Sequence, residues 1–373
     1  MGTRSIVACL TALAFVPAAQ AGVPPVNARA YLVEDATSGA VLSQRNATAR
    51  VPIASLTKMM TILIALQNGV RVNDIVTVQR EAAQVGESTI HLRAGERISV
   101  GDLLKGALIQ SANDAADALA DYVAAGNEPK FVAMMNAEAR RLRLTDTHFA
   151  RPDGLDAPRH YSSARDVTKL AQVVMRYPVV RALVRERSAT IGSGQHLHTW
   201  NDLLGVFRGL DGVKTGHTAR AGWCEVAHVR RDGLDVYATI LGSPTRSQRN
   251  TDLATLLRWA FSVERPAWVI PPAHVYLRVP SAYGRGAIPL VAARGVVRPV
   301  RVDRTLVERV TARDAVSLPV RRGEELGEVR IFSGRRLVAR QPLVAARSAS
   351  APGVAGRVSF YFRHTFSHIG GWL

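Results

Sequence analysis

Cysteine is nearly absent from this chain: its 373 residues include only Cys9 and Cys224. If the N-terminus is removed on export, Cys224 stands alone. That excludes an intramolecular disulfide framework and a cysteine-based metal site. Cys224 lies in the strand-like run Trp223–Val226, which suits a buried, inert thiol. Lysine is scarce too, with five residues in a Lys+Arg total of 48. Aromatics make up 6%, and no basic-aromatic motif of a nucleic-acid module is present. Repeats and long low-complexity runs are also missing. The acidic residues number 30, so the net charge is +18. Such a surface favours an anionic neighbourhood, either a membrane face or an acidic wall polymer. The hydrophobic content of 47% is that of a folded chain long enough for two domains.

Residues 1–21 read as a secretory signal. Arg4 supplies the positive start, Ile6–Val16 a short apolar core, and Ala19-Gln20-Ala21 a small-x-small cleavage site. Export argues against nucleic acid as a partner. The apolar core is too short to span a bilayer comfortably.

The stretch Val51–Met60 organises the rest of the chain. Ser55 stands three residues before Lys58, at the start of the helix-favouring run Met60, Ile62, Leu63, Ile64 and Leu66. On one helical face the lysine amine reaches the serine hydroxyl. A desolvated lysine is neutral enough to take the proton that a serine must lose to become a nucleophile. An isolated S-x-x-K also suits a helix cap and a solvated lysine, and occurs by chance in roughly a quarter of such chains. Two further strings add weight. Ser111-Ala112-Asn113 interrupts a helical run and offers a hydroxyl and an amide. Lys214-Thr215-Gly216-His217 comes after the turn Leu210-Asp211-Gly212 on a predicted strand. There the lysine supplies positive charge, the threonine a hydroxyl for a carboxylate, and the glycine room for a ligand backbone.

The periodicity predicts a hairpin of Ala30–Asp35 and Ala40–Ser43. Small strands are predicted at Ile75–Val78, Thr89–Leu92 and Ile98–Val100. Helices are predicted at Leu103–Ile109 (with Asp102 as its cap), Ala115–Val123, Lys130–Leu142, Ala164–Arg176 and Leu253–Val263. Strands return at Val213–Thr215, Trp223–Val229 and Val236–Leu241. Beyond Pro266, strands at 275–279, 288–291, 297–302, 315–320, 327–332 and 337–343 form an all-β module. The predicted layout is residues 1–21 signal, 22–265 catalytic domain, 266–345 all-β domain, 346–356 linker and 357–373 amphipathic helix. In that helix Val358, Phe362, Phe366, Ile369 and Leu373 share one face, which suits a membrane interface; the alternative is a tail packed on the β module.

In order and spacing the three strings resemble the active-site set of penicillin-binding proteins and class A β-lactamases. Longer strings narrow the resemblance: Ala54–Met60, Gln110–Ala115, Thr147-His148-Phe149 with Gly154-Leu155, Tyr161–Asp166 and Asp211–Thr218. The chain is similar to the D-alanyl-D-alanine carboxypeptidases, low-molecular-mass penicillin-binding proteins of the membrane-anchored Gram-negative type. The resemblance implies an α/β (α+β) fold with a central antiparallel sheet flanked by helices. It implies Ser55 as the acyl-ester nucleophile and Lys58 as the base. Ser111 and Asn113 would line the other wall, with Ser111 passing a proton to the leaving amine and Lys214 shaping the electrostatics of that relay. Lys214, Thr215, Gly216 and His217 would bind substrate, with Arg246 as the candidate arginine for its carboxylate. The backbone N–H groups of Ser55 and His217 would form the oxyanion hole. The implied partners are the peptidoglycan stem peptide, β-lactams and, through the C-terminal helix, the inner-membrane surface. The implied location is periplasmic, and no cofactor or metal is called for. Asp153 stands where relatives often carry His or Asn.

Three rival readings stay open on sequence. A β-lactamase needs a water-holding glutamate in the 151–156 loop, which has Asp153 and Asp156 instead. An endopeptidase of the same family usually lacks the β module and tail. A penicillin sensor or wall-binding protein would have no need of the full serine and lysine set.

Overall fold

The computed structural model describes residues 22–369 together with two short strands, Ser5–Ala8 and Ala12–Leu13. The cleavage site of the expected export signal lies outside the described residues, as do residues 370–373. The chain divides into two compact units: Ala21–Ser262, and Val263 onward with the N-terminal strands.

The first unit is built on a five-stranded antiparallel sheet. Its strands are β1 (Ala30–Asp35), β2 (Ala40–Arg45), β3 (Leu210–Thr218), β4 (Gly222–Arg231) and β5 (Leu234–Ser243), ordered β2-β1-β5-β4-β3. The first and last parts of the unit thus meet in one sheet. The terminal strand β3 pairs on one side only, so its other edge is free to line a cleft.

Helices α1 (Lys58–Gln67), α2 (Asn113–Ala124) and α3 (Glu128–Arg141) pack on one another, α4 (Ala164–Val174) lies between α1 and the sheet, and α5 (Arg246–Val263) closes the unit. The residues of α1 from Lys58 to Ala65 are all buried. A helix apolar on every side belongs in a core, and Met59, Met60, Ile62, Leu63 and Ile64 place it there. Each such side chain contributes about 1.5–3 kcal/mol when fully buried.

Several predicted elements change in the structure. Thr89–Leu92 is not a strand: Ile90 and Leu92 donate their N–H groups to the buried Asp114 carboxylate at 3.0–3.1 Å, so a side chain replaces the ladder. Ser99, not Asp102, caps the next helix, its hydroxyl accepting from the Asp102 N–H at 3.1 Å. That helix spans Val100–Lys105 and widens into a π turn, Gly106–Gln110.

In the second unit, Val275–Pro280, Ala287–Ala292, Leu306–Arg313, Glu325–Ser333 and Arg336–Ala345 share one sheet with the N-terminal strands. Glu264–Ile270 pairs with Val296–Arg301. The expected strand at 315–320 forms only isolated bridges at Val316 and Val320, whereas Leu306–Arg313 is a full strand. A helix, α6 (Val354–Ile369), ends the described chain and begins inside the predicted linker.

Candidate active site

The site begins at a single 3-10 turn, Ala54–Thr57, which carries Ser55 into α1. Ala54 holds a left-handed φ of 49°, uncommon without glycine. Gly154 packs against this turn so closely that a Cβ there would collide with the Ala54 carbonyl. Behind the turn, Thr57 Oγ1 lies 2.8 Å from His160 Nε2. His160 Nδ1 accepts from the Ala150 N–H, so Nε2 carries the proton and donates to Thr57. Burial holds this imidazole neutral, its pKa lowered to about 4.

Lys58 is fully buried beneath Ser55. Its Nζ lies 2.8 Å from Ser55 Oγ, 2.6 Å from Asn113 Oδ1 and 2.6 Å from the Asp153 carbonyl oxygen. The Asn113 amide is oriented by donation from Nδ2 to the Gly86 carbonyl at 2.8 Å, so Oδ1 must face the lysine. Both Oδ1 and the carbonyl can only accept. They occupy two N–H bonds, and the third position of the nitrogen is left for the serine hydroxyl. Desolvation lowers the Lys58 pKa to about 8, against the opposing charges of Asp153, Asp117, Glu87 and Asp114. Near pH 7.5 roughly a quarter of such amines are neutral, against about one in a thousand for an ordinary lysine.

Ser111 comes just after the π turn in a left-handed conformation, φ 64°. That break points its hydroxyl at Lys214, whose Nζ donates to Ser111 Oγ at 2.7 Å and to the Thr215 carbonyl at 2.8 Å. Burial, and then the positive charge of Lys58, bring Lys214 well below the ordinary lysine range. Gly216 is where β3 passes the serine: a Cβ there would lie 2.9 Å from the Ser55 nitrogen. The adjacent His217 ring stacks on Trp223 with centroids 4.1 Å apart.

These groups face a cleft of about 160 Å³ that opens to solvent. Ser55, Ser111, Asn113, Thr215, Gly216 and His217 line it, while Lys58 and Lys214 lie buried beneath it. The fold thus brings the sequence-derived set to one cleft, with one correction. Arg246 is absent from the lining; its guanidinium forms a two-point pair with Asp202 at 2.7 and 2.5 Å and lies 5.0 Å over the Trp200 ring. One helical turn on, Arg249 lines the cleft instead. It is buried, ion-paired with Glu225 at 3.1 Å and with Asp202 at 3.3 Å. Desolvation raises the Glu225 pKa to about 7, an effect that Arg249 opposes. The available signal was Glu225 itself, because a carboxylate in an apolar strand requires a cation within reach. Trp200, Trp223, Glu87 and Ser88 are further lining residues that the motifs did not indicate.

Asp153 supports the site from below. Its buried carboxylate accepts from Arg151 at 3.0 and 2.7 Å and from the Leu155 N–H at 2.9 Å. This fixes the carbonyl that holds Lys58.

Comparisons with known proteins agree with this geometry. Residues 17–245 match the D-alanyl-D-alanine carboxypeptidase family model. The D-alanyl-D-alanine carboxypeptidase DacC of Escherichia coli K12 is 31% identical, the match covering 94% of this chain and 91% of that protein. DacD of Salmonella typhimurium is 32% identical over 91% of each. Among solved structures, penicillin-binding protein 6B from Escherichia coli superposes with a TM-score of 0.66 at 30% identity, covering 86% of this chain and 96% of that one. A serine and a buried lysine in contact, on this fold and with these relatives, lead to one assignment: the chain belongs to the D-alanyl-D-alanine carboxypeptidase family, serine-type enzymes of the low-molecular-mass penicillin-binding class.

Proposed function

We propose that the enzyme removes the terminal D-alanine from peptidoglycan pentapeptide stems through an acyl-Ser55 intermediate, and that β-lactams acylate the same serine. The observation that carries this reading is the Lys58 amine, buried and 2.8 Å from Ser55 Oγ, with its other contacts made to acceptors. Neutral Lys58 takes the hydroxyl proton as Ser55 Oγ attacks the carbonyl between the two D-alanines. The oxyanion forms against the Ser55 and His217 N–H groups, and such donors account for a large share of the rate. As the tetrahedral intermediate collapses, the C–N bond breaks. Ser111 passes a proton to the leaving amine and is reprotonated from the lysines around it. Lys214 orients that hydroxyl. Thr215, His217 and Arg249 receive the terminal carboxylate. Water then attacks the ester and restores Ser55.

The test is D-alanine release from a pentapeptide ending in D-Ala-D-Ala, alongside labelling by a fluorescent penicillin. Wild type is expected to do both and Ser55→Ala neither. Release of D-alanine by Ser55→Ala would sink the mechanism. Labelling without release would point to a penicillin sensor, and rapid penicillin hydrolysis to a β-lactamase.

The chain is read as exported to the periplasm and held on the outer face of the inner membrane by α6. Val354, Val358, Tyr361 and Phe362 are exposed at helical spacing. This is the face that an interfacial helix inserts among lipid headgroups. No helix among the described residues is long and apolar enough to cross a membrane. Flotation with anionic vesicles tests the anchor: the full chain should float, and a chain ending at Pro352 should not.

A further inference from the structure

The two walls of the cleft carry opposite charge. The β3 wall has Thr215 and His217, with the Arg249 guanidinium beside them. Across the cleft, with Ser111 and Asn113, stand Ser88 and the exposed carboxylate Glu87. Glu87 has no hydrogen bond or ion pair among the described residues. The backbone that carries it is nonetheless tied down. The Gly86 carbonyl accepts from Asn113 Nδ2 at 2.8 Å, the Ser88 carbonyl accepts from the Asn113 N–H at 2.7 Å, and Ser88 Oγ donates to the Gln110 carbonyl at 2.9 Å. Residues 86–88 are thereby tied to the turn that carries Ser111 and Asn113. Within this tether Glu87 adopts a left-handed φ of 63°. For a non-glycine residue that conformation costs on the order of 1–2 kcal/mol, and such strain concentrates at functional sites. The tethered backbone thus leaves an exposed carboxylate at the cleft rim, with no ion pair among the described residues.

We propose that Glu87 forms a cation subsite, binding a side-chain ammonium on the residue that precedes the D-Ala-D-Ala end of the peptide. The inference rests on the carboxypeptidase reading above. A peptide with its terminal carboxylate toward Arg249 and Thr215 lies across Ser55, and its acyl side continues toward the opposite wall. The cleft therefore selects a ligand that is anionic at one end and cationic at the other.

The experiment compares two peptides on the full-length enzyme: Nα-acetyl-L-Lys-D-Ala-D-Ala, which keeps its ε-ammonium, and the Nα,Nε-diacetyl form, which lacks it. At low salt, kcat/KM is expected to favour the free ammonium about threefold, as suits a partly exposed ion pair. The ratio should approach one at about 0.5 M salt, where the screening length falls to roughly 4 Å. Glu87→Gln should bring the ratio near one, Glu87→Asp should retain part of the preference, and Glu87→Lys should invert it. Equal rates for the two peptides in wild type, or a ratio unchanged in Glu87→Gln, would overturn the subsite. Failure of wild type to release D-alanine from either peptide would overturn the carboxypeptidase reading instead, and the subsite with it.

Discussion

The two units of this chain bury different chemistry. In Ala21–Ser262 the interior holds Lys58, Lys214, Arg249, Glu225, Asp114 and Asp153 among its aliphatic side chains. In the unit from Val263 onward the interior is Val279, Ile288, Leu290, Val329, Ile331 and Leu343, and its buried polar side chains among the described residues are Glu264 and Ser281. Burying a charge costs several kcal/mol unless geometry and hydrogen bonds offset it. The first unit bears that cost at two lysines in one place, each in contact with a residue that lines the cleft. The second unit has the economy of a structural module, its interior almost wholly aliphatic beneath the strand ladders.

The sharpest way to break this contrast is to remove the base. Lys58→Ala is expected to lower the rate of acylation by a fluorescent penicillin by at least about 10³-fold, the scale of losing a general base or an activated nucleophile. Removing a buried ion-pair partner should strike stability as well as binding. Arg249→Ala leaves Glu225 buried without its main cation and should cost about 3–5 kcal/mol in chemical denaturation. The double variant Arg249→Met/Glu225→Gln should recover most of that loss but not the affinity for a peptide carboxylate, a difference visible in KM. In the second unit, Ile331→Ala should destabilise by about 2–5 kcal/mol through its cavity, yet leave the rate of penicillin acylation as it was. A fall in that rate matching the Lys58 variant would erase the distinction between the units.

The smallest expected effect concerns pH. The neutral form of Lys58 grows as pH rises through about 8, so kcat/KM should climb over that range. Asp153 is the largest of the charges raising that pKa. In Asp153→Asn the ascending limb should move to lower pH, by about half a unit because Arg151 already offsets much of the carboxylate. A shift to higher pH would reverse the sign argued for Asp153.

Much of the first unit was legible in the sequence because its signals are local. Short apolar runs about a turn marked the hairpin β1–β2, glycine-bounded apolar runs marked the trio β3–β5, and the run after Lys58 marked α1. Where prediction failed, a side chain had taken over a backbone's role. Thr89–Leu92 looks like a strand by composition, but the Asp114 carboxylate, distant in sequence, claims its N–H groups. Arg246 looked suitable because it comes soon after β5. The helical turn that separates it from Arg249 decides which guanidinium meets the cleft and which meets Asp202.

By itself the sequence determined the reactive types and their order: a serine three residues before a lysine, a serine and asparagine at a helix break, and a lysine before threonine and glycine on a strand. These are local facts, set by spacing along the chain. Only the tertiary structure decided that Lys58 is buried between two acceptors and the Ser55 hydroxyl, that Gly216 brings β3 against Ser55, and that Glu87 and Arg249 line one cleft. The reason is physical. Desolvation and charge neighbourhood are properties of three-dimensional packing, and they set which amine loses its charge most readily, which guanidinium meets the cleft and which carboxylate stands exposed at its rim.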